Sequence, residues 1–242
     1  MSPLSAASFG FPSLMITGIS FINILYIWDM LLDENVAKEF SAKLIQIGAI
    51  QLRPDAPFTW ASGWHSPIYC DNRLTLSYPE IRSFIATQLA ALCKKYYPEA
   101  TCIGGVATAG IAHGLLLAEA LSMPFVYVRA DAKQHGRQNK IEGHLQPADK
   151  VLMIEDLIST GGSSLKAVTA VRDAGIEVVG LLALFTYGFT QAVDAFQTAE
   201  CSFRTLTDYS TTIQYAVEQG ILQADQQAVL EEWRLHPETW GR

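Results

Sequence analysis

The chain has 242 residues, half of them apolar and 17% charged, and a formal net charge of -7. That length and mix suit one folded α/β domain with an appendage and exclude a disordered chain. No run of five or more Lys and Arg occurs, so the basic footprint of a nucleic-acid binder is missing. An anionic ligand must instead be met locally, by backbone N–H groups, a few placed cations or a metal ion.

Residues 9–27 carry no charge, a run as long as a membrane helix. Yet no Lys or Arg precedes Lys38, and the next charges are Asp29, Asp33 and Glu34. Those are the flanks of neither a signal peptide nor an oriented membrane span. Residues 1–29 are therefore expected to form an extension outside the main fold, with Met30 as a start; a membrane anchor is the competing reading. The folded domain is expected over residues 30–242, in the cytoplasm. Cys70, Cys93, Cys102 and Cys201 form no C-x-x-C pair, which points to reduced thiols rather than a zinc site.

From Glu34, the recurrence of Val36, Phe40, Leu44 and Ile47 predicts an amphipathic helix. The aromatic, turn-rich stretch "PFTWASGWHSPIYCDNR" predicts a hairpin or hood over about residues 50–75. Next, "SYPE" offers a capping box of Ser77 and Glu80 for a helix through Ile81, Phe84, Ile85, Leu89 and Leu92, ending before Pro98. "CI" leading into "GGVATAG", then "FVYV", "VLMI", "VVGLLALFT" and "CSFRTL" read as strands, with helices between several of them. Residues 130–144 are polar and without periodicity, which predicts a long loop. Alternating strands and helices imply right-handed crossovers and a mostly parallel sheet covered on both faces. The helix after "STGG" shows Leu165, Val168 and Val171 on one side, and two helices close the chain, with Trp233 and Trp240 as docking anchors.

The chemistry concentrates in "VLMIEDLISTGGSS". Ligands of parallel sheets bind beyond the carboxyl ends of the strands. If "VLMI" ends at that edge, Glu155 and Asp156 point into the cleft rather than the core. Two neighbouring carboxylates can accept short, strong bonds from the two hydroxyls of a vicinal diol. Two glycines and the N-terminus of the next helix then offer inward N–H groups and a positive dipole end to a phosphate. The hydroxyls of Ser159, Thr160, Ser163 and Ser164 can add donors. A diol grip followed by a phosphate cradle describes a site for ribose 5-phosphate; the bland alternative is an exposed, capped turn. A Walker loop is excluded, because G-x-x-x-x-G-K-[ST] does not occur.

This stretch resembles the phosphoribosyl diphosphate-binding motif of the type I phosphoribosyltransferases. Together with "FTWASGWHSPIYCDNR", "GGVATAGIAHG", "VRADAKQHGRQNKIEG" and "LTDYS", the chain is similar to the orotate phosphoribosyltransferases over about residues 30–221. The resemblance implies a type I phosphoribosyltransferase-like α/β fold with a small N-terminal hood. It also implies the reaction of orotate with phosphoribosyl diphosphate and Mg²⁺ to give orotidine 5′-monophosphate and diphosphate, a step of UMP biosynthesis. By position, Glu155 and Asp156 would bind the ribose hydroxyls. Leu157, Ile158, Ser159, Thr160, Gly161, Gly162 and Ser163 would bind the 5′-phosphate, with Ser159 also near orotate. Arg129, Lys133 and His135 would contact the diphosphate, Lys133 and His135 reaching the neighbouring subunit's site in a homodimer with shared active sites. Tyr69 would face orotate; Arg73 is expected beside it as a compensating cation rather than as part of the family pattern. No protein metal ligand is implied, because Mg²⁺ is held mainly by the substrate's diphosphate.

Several positions depart from the family pattern. Ala61, Ala109 and Ala130 stand where lysine is frequent, "FTYGF" lacks an arginine that some relatives use on orotate, and the acid pair is Glu-Asp rather than Asp-Asp. Arg73 and His65 would have to supply part of the missing charge. His113 reads as packed rather than catalytic, and Tyr69 divides between core packing and substrate contact. Two rival functions stay open: transfer to another nucleobase, and a non-catalytic phosphoribosyl diphosphate-binding regulator.

Overall fold

A computed structural model describes residues 33–129 and 140–241. The expected boundary at Met30, and Lys133 and His135 in the loop, lie outside the described residues. Asp33 opens helix α1 (Glu34–Gln46), its carboxylate accepting from the N–H groups of Asn35 and Val36, which satisfies two orphan donors of the first turn. The buried face is Ala37, Phe40, Ser41 and Leu44, so the predicted stripe is corrected: Val36 and Ile47 are only half-buried. Ser41 is turned inward because its hydroxyl meets those of Thr207 at 2.8 Å and Thr212 at 2.9 Å, a polar junction that a hydrophobic pattern cannot reveal.

The hood is built from short pieces. Strand β1 (Ile50–Leu52) pairs antiparallel with β4 (Ile68–Cys70), and β2 (Phe58–Thr59) pairs antiparallel with β3 (His65–Ser66). A 3₁₀ helix, Asn72–Ser77, follows and leads into α2 (Pro79–Tyr96). The expected capping box does not form. Ser77 is spent on the 3₁₀ turn, Tyr78 occupies the N-cap, and no side chain caps the helix; Pro79 at the first position needs no N–H partner.

The main sheet has six strands in the order β10-β9-β8-β5-β6-β7: β5 (Cys102–Val106), β6 (Phe125–Val128), β7 (Ile141–Glu142), β8 (Lys150–Ile158), β9 (Glu177–Thr186) and β10 (Phe203–Asp208). All neighbours run parallel except β7, which pairs antiparallel with β6 at one edge. That pairing corrects the expected loop of residues 130–144, since Ile141 and Glu142 belong to the sheet. Along β8, Leu152 and Ile154 face one core with Phe40, Leu89, Leu117, Leu206 and Trp233, while Val151 and Met153 face a second core with Val168, Val171 and Phe196. The period-two alternation thus separates two apolar layers, as expected of a covered parallel sheet. Helices α3 (Gly110–Leu121), α4 (Gly162–Asp173), α5 (Thr190–Thr198), α6 (Tyr209–Glu218) and α7 (Ala224–Leu235) complete the chain. In α4 the buried face is Ser164, Ala167, Val168 and Val171, with Leu165 half-exposed rather than in the expected stripe. All four cysteines are free and buried, and among the described residues no helix is long and apolar enough to cross a membrane.

Candidate active site

Strand β8 does not end at "VLMI". It runs nine residues, through the acid pair to Ile158, and keeps its register with β9 to the tip: Glu155 opposite Ala183, Leu157 opposite Phe185, Ile158 opposite Thr186. The expectation that both acids point into the cleft is therefore corrected for Glu155, which is only 5% exposed. One of its oxygens accepts from the N–H of Asp156 at 3.0 Å, and the other from the hydroxyl of Ser164 at 3.1 Å. Ser164 itself is buried, so this hydroxyl faces the acid and not a phosphate. Asp156 is half-buried beside it.

Burial, and then the charge of Asp156, pushes the Glu155 carboxyl up to about 9. Burial also raises Asp156, while its bond to Glu155 pulls it back. Two carboxyls this close cannot both ionise cheaply, so burial and mutual repulsion bias the more deeply buried Glu155 toward its neutral form.

The turn after β8 divides its labour. Ile158 is buried, and its carbonyl accepts from the N–H of Tyr187 at 3.1 Å and the hydroxyl of Thr186 at 3.2 Å. It stitches the turn to β9. Ser159 and Thr160 are half-buried, and Gly162 and Ser163 are exposed. Gly161 adopts φ 81° at the N-cap of α4, where a Cβ would lie 2.9 Å from the Phe196 ring; glycine meets both demands at no cost. No side chain caps α4, so its first N–H groups remain free to meet an anion. Gly162 borders open space, beside a hollow of about 500 Å³ lined in part by Lys140, Ile141, Leu165 and Lys166.

Against the acid-bearing part of β8 lies the segment between β5 and α3, where the Ala107–Thr108 peptide is cis. Its glycines serve packing as well as backbone access. A Cβ on Gly110 would run into the carbonyl oxygen of Ile154 and lie 3.2 Å from the Cα of Glu155. That close approach seats the start of α3 on the acid-bearing part of β8. His113, one turn further, is fully buried, as expected, and neither ring nitrogen has a hydrogen-bond partner; burial lowers it to about 4, so it is a neutral packing residue.

The hood lies over the acids. Tyr69 is 38% exposed, because β4 alternates Ile68 and Cys70 inward with Tyr69 outward; this decides the open question against core packing. Its ring meets Phe58, centroids 5.6 Å apart. Arg73 forms a two-pronged pair with Asp71, at 2.7 and 2.8 Å, and the guanidinium bond holds Asp71 below the usual carboxylate range. Much of the charge expected to replace missing lysines is thus already engaged. His65 stands on the seam with the C-terminal region, near Gly241. Arg129 pairs with Glu142 across the β6–β7 edge at 3.4 Å. Sequence reasoning missed Asn72. Its side-chain amide donates to the main-chain oxygen of Asp156 at 2.7 Å, but an Asn in "CDNR" carries no signal beyond that of a turn former.

No protein-family model matches the chain. Among curated proteins it is 51% identical over 208 residues to the orotate phosphoribosyltransferase of Porphyromonas gingivalis, spanning 86% of this chain and 99% of that one. It is also 51% identical over 203 residues to the orotate phosphoribosyltransferase of Bacillus caldolyticus, spanning 84% and 98%. The chain belongs to the orotate phosphoribosyltransferase family. Solved structures agree on the type I phosphoribosyltransferase fold. UMP synthase of Leishmania donovani matches with a TM-score of 0.71 at 24% identity, over 83% of this chain and 42% of that one. The orotate phosphoribosyltransferase of Aeropyrum pernix matches with a TM-score of 0.61 at 24% identity, over 75% and 99%. Within this orotate phosphoribosyltransferase family member, the acid pair, the turn 159–163, the segment 107–110 and the hood converge on the carboxyl end of the sheet, as the topology of a parallel sheet requires.

Proposed function

We propose that this chain transfers the 5-phosphoribosyl group from phosphoribosyl diphosphate to orotate, giving orotidine 5′-monophosphate and diphosphate in UMP biosynthesis, in the cytoplasm. The observation that carries this reading is Asp156 near the tip of β8, backed by the buried Glu155 and followed after a short turn by the uncapped start of α4. Asp156 accepts from the ribose hydroxyls, with Glu155 behind it as a buried, protonated partner. The N–H groups at the start of α4, with Ser159, Thr160 and Ser163, hold the 5′-phosphate. Anchoring both ends of the sugar leaves the anomeric carbon the only free centre. There the bond to the diphosphate oxygen breaks through an oxocarbenium-like state, and a ring nitrogen of the orotate anion forms the new bond. Orotate arrives already deprotonated, so no protein base is required.

The leaving diphosphate needs positive charge. Arg129, Lys133 and His135 are proposed to supply it, the last two from a second copy in a homodimer. The exposed Leu74, Tyr78 and Leu115 offer apolar surface for such a copy. Among the described residues no group of three His, Cys, Asp or Glu could hold a metal ion. Mg²⁺ would take its ligands from substrate oxygens and water, as this ion commonly does, and would neutralise the departing charge. Tyr69 and Arg73 on the hood face orotate in this reading.

Incubating the full chain with phosphoribosyl diphosphate and orotate, adenine, hypoxanthine or uracil tests it. Orotate should be consumed only when Mg²⁺ is present. Turnover of another base without orotate turnover, or of none, overturns the assignment.

A further inference from the structure

We propose that Asn72 is a positioning residue for the acid pair, its side-chain amide fixing the main chain of Asp156 relative to the hood. This rests on the reading that Asp156 grips the ribose. Asn72 opens the 3₁₀ helix and is fully buried. A buried amide must satisfy donors and acceptor alike, and here the partners are specific. Nδ2 donates to the Asp156 carbonyl at 2.7 Å, Oδ1 accepts from the Cys70 thiol at 3.5 Å, and the residue's own carbonyl accepts from the Thr75 hydroxyl at 2.6 Å. Three atoms of one residue are thereby pinned.

The bond falls where the sheet needs it. The ladder between β5 and β8 stops at Gly105 and Ile154, whereas β8 continues to Ile158 beside β9. From Glu155 onward the strand that carries both acids has a sheet neighbour on one side only. The Asn72 amide takes up main-chain pairing at that unsupported tip, 84 residues away in sequence. The surrounding hood residues bear on the same carboxyl: Arg73 and Asp71 act on Asp156 with opposite signs, and the Cys70 thiol feels its charge. The segment 70–73 therefore sits over the acid pair, and a single amide sets the distance between the ribose grip and the hood face that bears Tyr69.

The test uses the full chain with Asn72→Ala, Asn72→Asp and Asp156→Asn. Asn72→Ala should lower kcat/KM for phosphoribosyl diphosphate about tenfold, the scale of a small misplacement of a positioning group. Combined with Asp156→Asn it should cost little beyond Asp156→Asn alone, because both act on one group. Asn72→Asp keeps the volume and remains measurable if Asn72→Ala does not fold. Its neutral acid can donate to the Asp156 carbonyl, but its carboxylate cannot, so its activity relative to wild type should rise as pH falls. A flat ratio across pH, or strictly additive losses in the double variant, makes Asn72 a packing residue only and overturns the proposal. Wild-type protein that fails to consume orotate overturns the underlying function, and this proposal with it; active wild type with unaffected variants overturns this proposal alone.

Discussion

The turn after β8 and the hood meet at one cleft but are specified in opposite ways. The turn is continuous: strand, two acids, Gly-containing bend and helix within residues 150–173. Its internal supports are short-range, such as Ser164 to Glu155, nine residues apart, and Leu165 N–H to the Gly161 carbonyl. The hood consists of strands two or three residues long, too short to hold themselves. It is seated by distant partners. The Trp233 indole donates to the His65 carbonyl at 2.9 Å across 168 residues, and Gln226 donates to Asp55 across 171. Trp60 packs against Tyr187 and edge-on against Trp233, with centroids 5.1 and 5.6 Å apart. The acid-bearing strand and its turn are therefore encoded locally, while the hood over them is placed by tertiary packing.

The contrast can be broken experimentally. Trp233→Ala should have the largest effect, removing a fully buried indole from the hood's seat at about 3–5 kcal/mol of stability and raising the KM for orotate, as read by denaturant titration and steady-state kinetics. An unchanged KM would show that the hood seats itself. Asp156→Asn should cut turnover at least roughly tenfold, about 1.4 kcal/mol of barrier, with little change in the unfolding midpoint. A stability loss as large as that of Trp233→Ala would erase the division between chemistry and seating. Glu155→Gln gives the smallest effect and a sharper one. Folded Glu155 keeps its proton up to about 9, whereas the unfolded chain releases it near 4.5. The folded state then binds more protons across that window, so this group's contribution is most favourable below the lower value and declines as pH climbs toward the upper. Glu155→Gln should flatten that decline in melting curves recorded from pH 5 to 9; an unaltered slope would mean Glu155 is ionised in the folded protein.

How much was legible follows the same division. The sheet, the acid pair and the glycine turn before α4 could be read, because apolar runs and a strand–acid–glycine pattern act over a dozen residues. The length of β8 could not, since two carboxylates look like the end of a strand unless a buried Ser164 is known to wait for one of them. Ser41 escaped the α1 pattern for a similar reason, its partners Thr207 and Thr212 lying on another strand and helix. Trp233 was recognisable as an anchor, but its partner was not, because nothing near residue 233 names His65. Asn72 left no local trace at all. The capping box at Ser77 misled because the preceding 3₁₀ helix had already claimed that residue.

Trp233 also imposes an order of assembly. In chain order the acids and the turn after β8 come well before the indole that ties down the hood. Yet that indole shares one buried core with Leu152 and Ile154 of β8, so the strand beneath the acids and the hood above them are completed by the same late residue.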